Sequence, residues 1–179
     1  DRFKLTRAQM LESVSKADLD RITSQSEQQR AQLAVSAALD DVKKAQDDEG
    51  YDAVAIAHGT DTLAYTATAL SFALHGKDPK QSGLRIPVCI TGAQNSIYKE
   101  GGDGRFNLEN LFLVLNVAIE RGVADVLVNF WNRVLLGCRT LKTSERDFDA
   151  MQSPAFPDVG RIDAYGIDLN IDVLNKRVN

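Results

Sequence analysis

The chain of 179 residues is short of several things, and each shortage excludes a class of protein. It has two cysteines, Cys89 and Cys138, far apart in sequence, which leaves one disulfide possible and rules out a disulfide-dense scaffold. So low a count, with no evident pairing, leans toward a cytoplasmic location. A periplasmic one stays open, because an export signal would lie ahead of Asp1. No apolar run approaches the ~20 residues needed to span a bilayer, so no membrane span is expected. There is no Lys/Arg run, and 21 basic against 25 acidic residues give a formal charge of −4, which argues against nucleic acid as a direct partner. His, Cys, Asp and Glu nowhere fall at metal-ligand spacing, and the two histidines, His58 and His75, are weak signals. Neither a metal nor another cofactor is therefore expected. Internal repeats and low-complexity segments are missing too. What remains is an ordinary globular composition, 44% hydrophobic and 26% charged, long enough for one domain with its own core.

The pattern of apolar residues alternates between helix and strand. Met10, Leu11 and Val14 recur at helical spacing behind Thr6, a residue suited to an N-cap. A short strand is expected near Ile22. Leu33, Ala34, Ala37, Leu39 and Val42 then repeat with a helical period in the charged stretch 27–47, an amphipathic helix closed by Gly50. Residues 53–57 read as a strand buried on both faces, 62–74 as a helix apolar nearly all round, and 86–91 as a second buried strand. A glycine-rich stretch, 92–104, reads as a flexible loop. It lacks the Gly-Lys-Ser/Thr of a phosphate-binding loop. A helix over 108–120 and a strand over 126–130 follow, then a turn at Trp131-Asn132 into Val134–Leu136, and an irregular tail with strand-like pieces around Ile162 and Ile167. This order predicts an α/β fold, three-layer and Rossmann-like, with a mostly parallel sheet, helices on both faces and a β-hairpin.

In open α/β sheets ligands bind beyond the carboxyl ends of the strands. Those positions hold His58-Gly59-Thr60-Asp61-Thr62 and Thr91-Gly92-Ala93-Gln94. Gly59 allows a close backbone approach, Thr60 opens a helix whose N–H groups favour negative charge, and Asp61 offers a carboxylate to an ammonium group. Read alone, Gly-Thr-Asp at a strand-to-helix turn is usually a helix cap, and Thr91-Gly92 a plain turn. Lys142 is the other candidate. A desolvated lysine can have its pKa lowered enough to activate a threonine hydroxyl, although most lysines are solvated surface groups. Spacing does not place Lys142 beside Thr60.

The set as a whole resembles the bacterial-type L-asparaginases. His58-Gly59-Thr60-Asp61-Thr62-Leu63 with Thr66-Ala67 and Leu70 is similar to the signature after that family's third strand. Pro87-Val88 with Thr91-Gly92-Ala93-Gln94 is similar to the next one. Asp103-Gly104, Asn107-Leu108, Gly137, Lys142-Thr143, Ser153-Pro154 and Gly160-Arg161-Ile162 follow in the family's order, and Ser24-Gln25 falls at its substrate-binding pair. The resemblance implies hydrolysis of L-asparagine to L-aspartate and ammonia, with L-glutamine a possible second substrate. Thr60, Asp61 and Lys142 would be catalytic, with Lys142 lowering the proton affinity of the Thr60 hydroxyl. Asp61 would also bind the substrate α-ammonium, Ser24 the α-carboxylate, with Gln25 near the α-amino group. Gly59 would line the site, the Thr60 N–H would serve the oxyanion hole, and the Ala93 carbonyl would accept from the side-chain amide. The family also implies a homo-oligomer, a dimer or tetramer.

The chain departs from the family pattern in one respect. A Thr-Gly-Gly-Thr-like turn carrying the second catalytic threonine, and the mobile tyrosine-bearing loop after it, have no counterpart, since the one Gly-Gly is Gly101-Gly102. Residues 1–179 are thus expected to be an N-terminal asparaginase-type domain that is incomplete at its start, lacks the second, C-terminal domain and is inactive alone. Two alternatives stand beside this reading: the ammonia-releasing subunit of a glutamyl-tRNA(Gln) amidotransferase, and a non-catalytic relative that binds amino acids.

Overall fold

The computed structural model describes residues 16–48, 50–75 and 83–174. The helix expected around Met10 lies outside them. Helix α1 spans Lys16–Asp47 without a break, so the strand expected near Ile22 is overturned. Two β-branched residues, Ile22 and Thr23, do not outweigh the helix propensity of the Gln, Glu, Arg, Ala and Leu residues that make up much of α1. The buried face of α1 is carried by Ala38, Leu39, Val42 and Ala45 at three- and four-residue spacing, while Leu33 points to solvent. Past its end, Gly50 adopts φ +69 and the Tyr51 N–H donates to the Ala45 carbonyl at 2.9 Å.

Strand β1 (Val54–Ala57), helix α2 (Thr60–His75), strand β2 (Val88–Thr91), helix α3 (Gly104–Glu120) and strand β3 (Val126–Phe130) form two β–α–β units. Strand β4 (Arg133–Leu136) returns antiparallel to β3 through the Trp131-Asn132 turn. A 3₁₀ turn at Gly137–Arg139 leads to β5 (Leu141–Lys142), which pairs with β6 (Met151–Gln152) in a separate two-stranded sheet. Strands β7 (Gly160–Asp163) and β8 (Gly166–Leu169) complete the main sheet, whose order is β1-β2-β3-β4-β7-β8. The first three strands are parallel and the remaining pairings antiparallel.

Side-chain alternation along the strands separates two cores. Val88, Ile90, Val126, Val128, Phe130 and Leu135 pack against α1 and against Leu63, Ala67, Leu70 and Leu74 of α2. Cys89, Leu127 and Val134 face the other way, onto Leu111, Val114, Leu115 and Ala118 of α3. The result is a three-layer α/β fold with helices on both faces. The steps β1 to β2 and β2 to β3 move in one direction across the sheet, yet α2 and α3 lie on opposite faces. Two right-handed crossovers would put both helices on the same face. One of the two connections is therefore left-handed, against a strong general preference.

Burial differs from expectation in two places. Strand β1 is an edge strand, with Val54 and Ile56 half-buried and Ala55 and Ala57 exposed. An alanine-rich run looks equally apolar at an edge and in a centre. Helix α2 is not apolar all round in use, because Tyr65 and Phe72 are each 73% exposed. Both cysteines are free. Cys89 is fully buried, and burial pushes its thiol pKa up to about 12, so it behaves as a small apolar side chain.

The stretch 92–104 is tied down, where the sequence reads as a flexible loop. Asp103 is 1% exposed, and its carboxylate accepts from the backbone N–H of Gln94 (2.9 Å) and of Asn95 (2.8 Å) and from Asn107 Nδ2 (3.1 Å). Asp103→Asn would aim a donor at donors. It is expected to lower stability by about 1–3 kcal/mol in urea unfolding; a change below about 0.5 kcal/mol would mean that another group anchors the loop.

Candidate active site

Because β1, β2 and β3 are parallel, the residues that follow them gather on one edge of the sheet: His58–Asp61 after β1, Gly92–Asn95 after β2 and Trp131 after β3. Thr60 is the first residue of α2 and Asp61 the second, so both sit where helix N–H groups lack intrahelical partners. His58 braces this turn. Its Nδ1 lies 2.9 Å from the Gly59 carbonyl, which can only accept, so Nε2 in the neutral ring is left to accept from the Thr66 hydroxyl at 3.0 Å. Across the edge, a Cβ on Gly92 would come within 2.6 Å of the His58 carbonyl and 3.2 Å of Thr60 Cγ2. Position 92 is therefore glycine because the two strand-end turns touch. At Gly59 a Cβ would meet nothing within 4 Å, so that position faces open space on the strand-end edge.

Lys142 completes the cluster from the small second sheet. Its Nζ donates to Thr60 Oγ1 at 3.1 Å, to Asp61 Oδ1 at 2.7 Å and to Glu145 Oε2 at 2.5 Å, which uses all three ammonium protons. Thr60 and Lys142 are 82 residues apart in sequence. The lysine side chain is 11% exposed, whereas those of Asp61 and Glu145 are 85% and 78% exposed. The expectation of a lowered lysine pKa fails here. The hydrogen bond from Asp61 and then that from Glu145 outweigh the loss of solvation and raise the Lys142 pKa above its ordinary value. The Lys142 hydrogen bond and charge in turn lower the pKa of Asp61.

The segment that carries Lys142 is fixed at both ends. Gln94 Nε2 donates to the carbonyls of Ser144 and Asp147, and Arg133 makes a two-pronged bond to Asp149 with Nε at 2.7 Å and Nη2 at 3.0 Å, while Nη1 reaches Asp158. These carboxylates, Asp149 foremost, raise the Arg133 pKa further above its usual range. Trp131, with φ +52, has its N–H on Asn107 Oδ1 at 2.9 Å and its ring between Phe106 and Phe148. That support holds a conformation unusual outside glycine. Beside Lys142 a groove of about 610 Å³ opens between α2 and β5, with Tyr65, Thr68 and Leu141 on its walls.

Thr60, Asp61 and Lys142, three candidates from the sequence, thus meet within hydrogen-bonding distance. Gly59 and Ala93 lie on the same edge, in the turns after β1 and β2. Ser24 and Gln25 fall within α1, and their side chains lie outside the described residues. Sequence reasoning missed Glu145 and the side chain of Gln94. The spacing of three between Lys142 and Glu145 was the sole hint for the first.

These elements define an α/β domain with a strand-end site of hydroxyl, ammonium and carboxylate groups. The chain belongs to the asparaginase N-terminal domain family, whose model, "Asparaginase, N-terminal", matches residues 4–174. It is 42% identical over 118 residues to L-asparaginase 1 of Escherichia coli K12, covering 66% of this chain and 31% of that protein. It is 39% identical over 132 residues to an L-asparaginase of Dirofilaria immitis, covering 74% of this chain and 20% of that protein. The crystal structure of L-asparaginase I from Vibrio cholerae superimposes with a TM-score of 0.65 at 32% identity, covering 81% of this chain and 40% of that one. The chain therefore spans a fifth to a third of the length of these two curated relatives.

The sign of the pH dependence follows from the two shifts. Lys142 stabilises the fold fully below its ordinary pKa of 10.5, and that contribution is lost as pH rises through the raised value. Asp61 does so above 3.8, and its contribution is lost as pH falls through the lowered value. Glu145→Gln removes one of the two carboxylates on Lys142. A ¹⁵N NMR titration of the lysine ammonium should then show a lower Lys142 pKa, and an unchanged titration would show that Asp61 alone sets it.

Proposed function

We propose that this domain is the N-terminal part of an amidohydrolase that converts L-asparagine and water into L-aspartate and ammonia. The observation that carries the reading is the 3.1 Å contact between the Lys142 ammonium and the Thr60 hydroxyl, at the mouth of a helix and next to an exposed carboxylate. A cation on Oγ1 stabilises negative charge there. Thr60 is thereby better able to attack the side-chain amide carbon, or to orient the water that does so, the proton of the attacking O–H passing to the amide nitrogen as it departs as ammonia. The Thr60 N–H, free of an intrahelical partner, faces the developing oxyanion. Asp61 receives the substrate α-ammonium and helps to hold Lys142. Ser24 and Gln25 are kept for the α-carboxylate and α-amino group, and the Ala93 carbonyl for the amide nitrogen.

Names of relatives support the substrate class: both curated proteins above are L-asparaginases. The second threonine-centred half of the family's site, and its mobile tyrosine, have no counterpart within residues 1–179. The domain by itself is therefore expected to release little or no ammonia. In the full-length protein, Thr60→Val and Lys142→Met should each lower kcat for L-asparagine by about 10²–10³-fold with the fold retained by circular dichroism. Near-normal turnover in either variant would sink the mechanism. Ammonia released only when tRNA and a partner subunit are added would favour the amidotransferase reading instead. Calorimetric binding of asparagine without turnover would favour a non-catalytic relative.

A further inference from the structure

We propose that Gln94 is a positioning residue for the site: its side-chain amide clamps the loop after β5 and so sets where Lys142 and Glu145 stand. Gln94 stands three residues past the end of β2. Its backbone N–H donates to the buried Asp103 carboxylate at 2.9 Å, so its own place is fixed from the N-terminus of α3. From there Nε2 reaches the carbonyl of Ser144 and that of Asp147, each at 3.2 Å, across 50 and 53 residues of sequence. Both partners are backbone carbonyls, which only accept. The amide must therefore present its two N–H groups, and two protons meet two acceptors.

Those two carbonyls bracket Glu145 and Arg146. The turn between them is closed on itself: Ser144 Oγ donates to Asp147 Oδ2 at 2.8 Å and accepts from the N–H of Arg146 (3.1 Å) and of Asp147 (3.0 Å). A turn with its internal bonds satisfied still needs a bond to the sheet edge to hold its position there. Gln94 supplies two. Glu145, carried in the middle of the turn, then accepts from Lys142 Nζ. Gln94 acts on Lys142 through this turn, and none of its own hydrogen bonds goes to Thr60, Asp61 or Lys142.

The kinetic arm of the test rests on the asparaginase reading; two other arms do not. Gln94→Met keeps the length of the side chain and removes both donors, and Gln94→Glu keeps the shape and does the same. In the full chain, either variant should speed hydrogen exchange at the Arg146 and Asp147 amides about tenfold or more and shift the Lys142 ammonium titration by ¹⁵N NMR. In the full-length protein, kcat for L-asparagine should fall about tenfold or more while KM stays within about twofold. Unaltered protein should show slowed exchange of the Gln94 side-chain amide protons, an arm that does not depend on any variant folding. Ordinary solvent exchange of those protons, or a folded variant with unchanged loop exchange and an unchanged Lys142 titration, would overturn the proposal. Should unaltered protein show no turnover of asparagine, the function proposed above fails, and the exchange and titration arms still decide the clamp.

Discussion

The Asp103 carboxylate is almost wholly removed from water, and three donors converge on it. A buried carboxylate with unmet acceptors is expensive, and one with three hydrogen bonds becomes a rigid hub. Much of the strand-end edge hangs from it. Through Gln94 and Asn95 it holds the turn after β2, whose Gly92 packs on the turn after β1. Through Asn107 it reaches the Gly92 carbonyl and the Trp131 N–H, and so the β3–β4 turn. Three strand ends and one helix N-terminus are thereby held by one side chain and its immediate partners. That hub is also why a glycine-rich stretch, which reads as flexible, is ordered.

The electrostatics of the cluster have a different character. Lys142 is nearly buried, whereas its two carboxylate partners are mostly exposed. Solvent screens such pairs, so they add little to stability. Their effect is to fix the protonation state and direction of one ammonium group. With all three protons spoken for, the lysine cannot swing away from Thr60 without leaving a carboxylate behind. The partial burial of the lysine would by itself lower its pKa; the two carboxylates reverse that sign.

The fold was largely legible from periodicity. Leu63, Ala67, Leu70 and Leu74 recur at helical spacing and become the buried face of α2. The uninterrupted apolar run at Val126–Phe130 becomes the fully buried β3. The helical state of Ile22 was not legible, because the β-branched pair Ile22-Thr23 reads as a strand in isolation, whereas it lies within the continuous helix α1. The exposure of β1 was not legible either, since hydrophobicity says what a residue tolerates and not what lies beside it. Handedness is a further case: the same succession of strands and helices is compatible with either hand, and only the side of the sheet on which α2 and α3 lie decides it.

By itself the sequence determined the residue types at the strand ends, because parallel β–α units bring those positions to one edge whatever the loops do. Thr60, Asp61, Gly92 and Gln94 were on that edge as soon as the alternation was read. It did not determine that Lys142 reaches Thr60, that Glu145 reaches Lys142, or that Gln94 reaches the loop between them. Those contacts join segments separated by many residues, or depend on where a turn points. They arise only when the second sheet docks against the first, and hydrogen bonds of about 3 Å demand a placement that no spacing along a chain encodes.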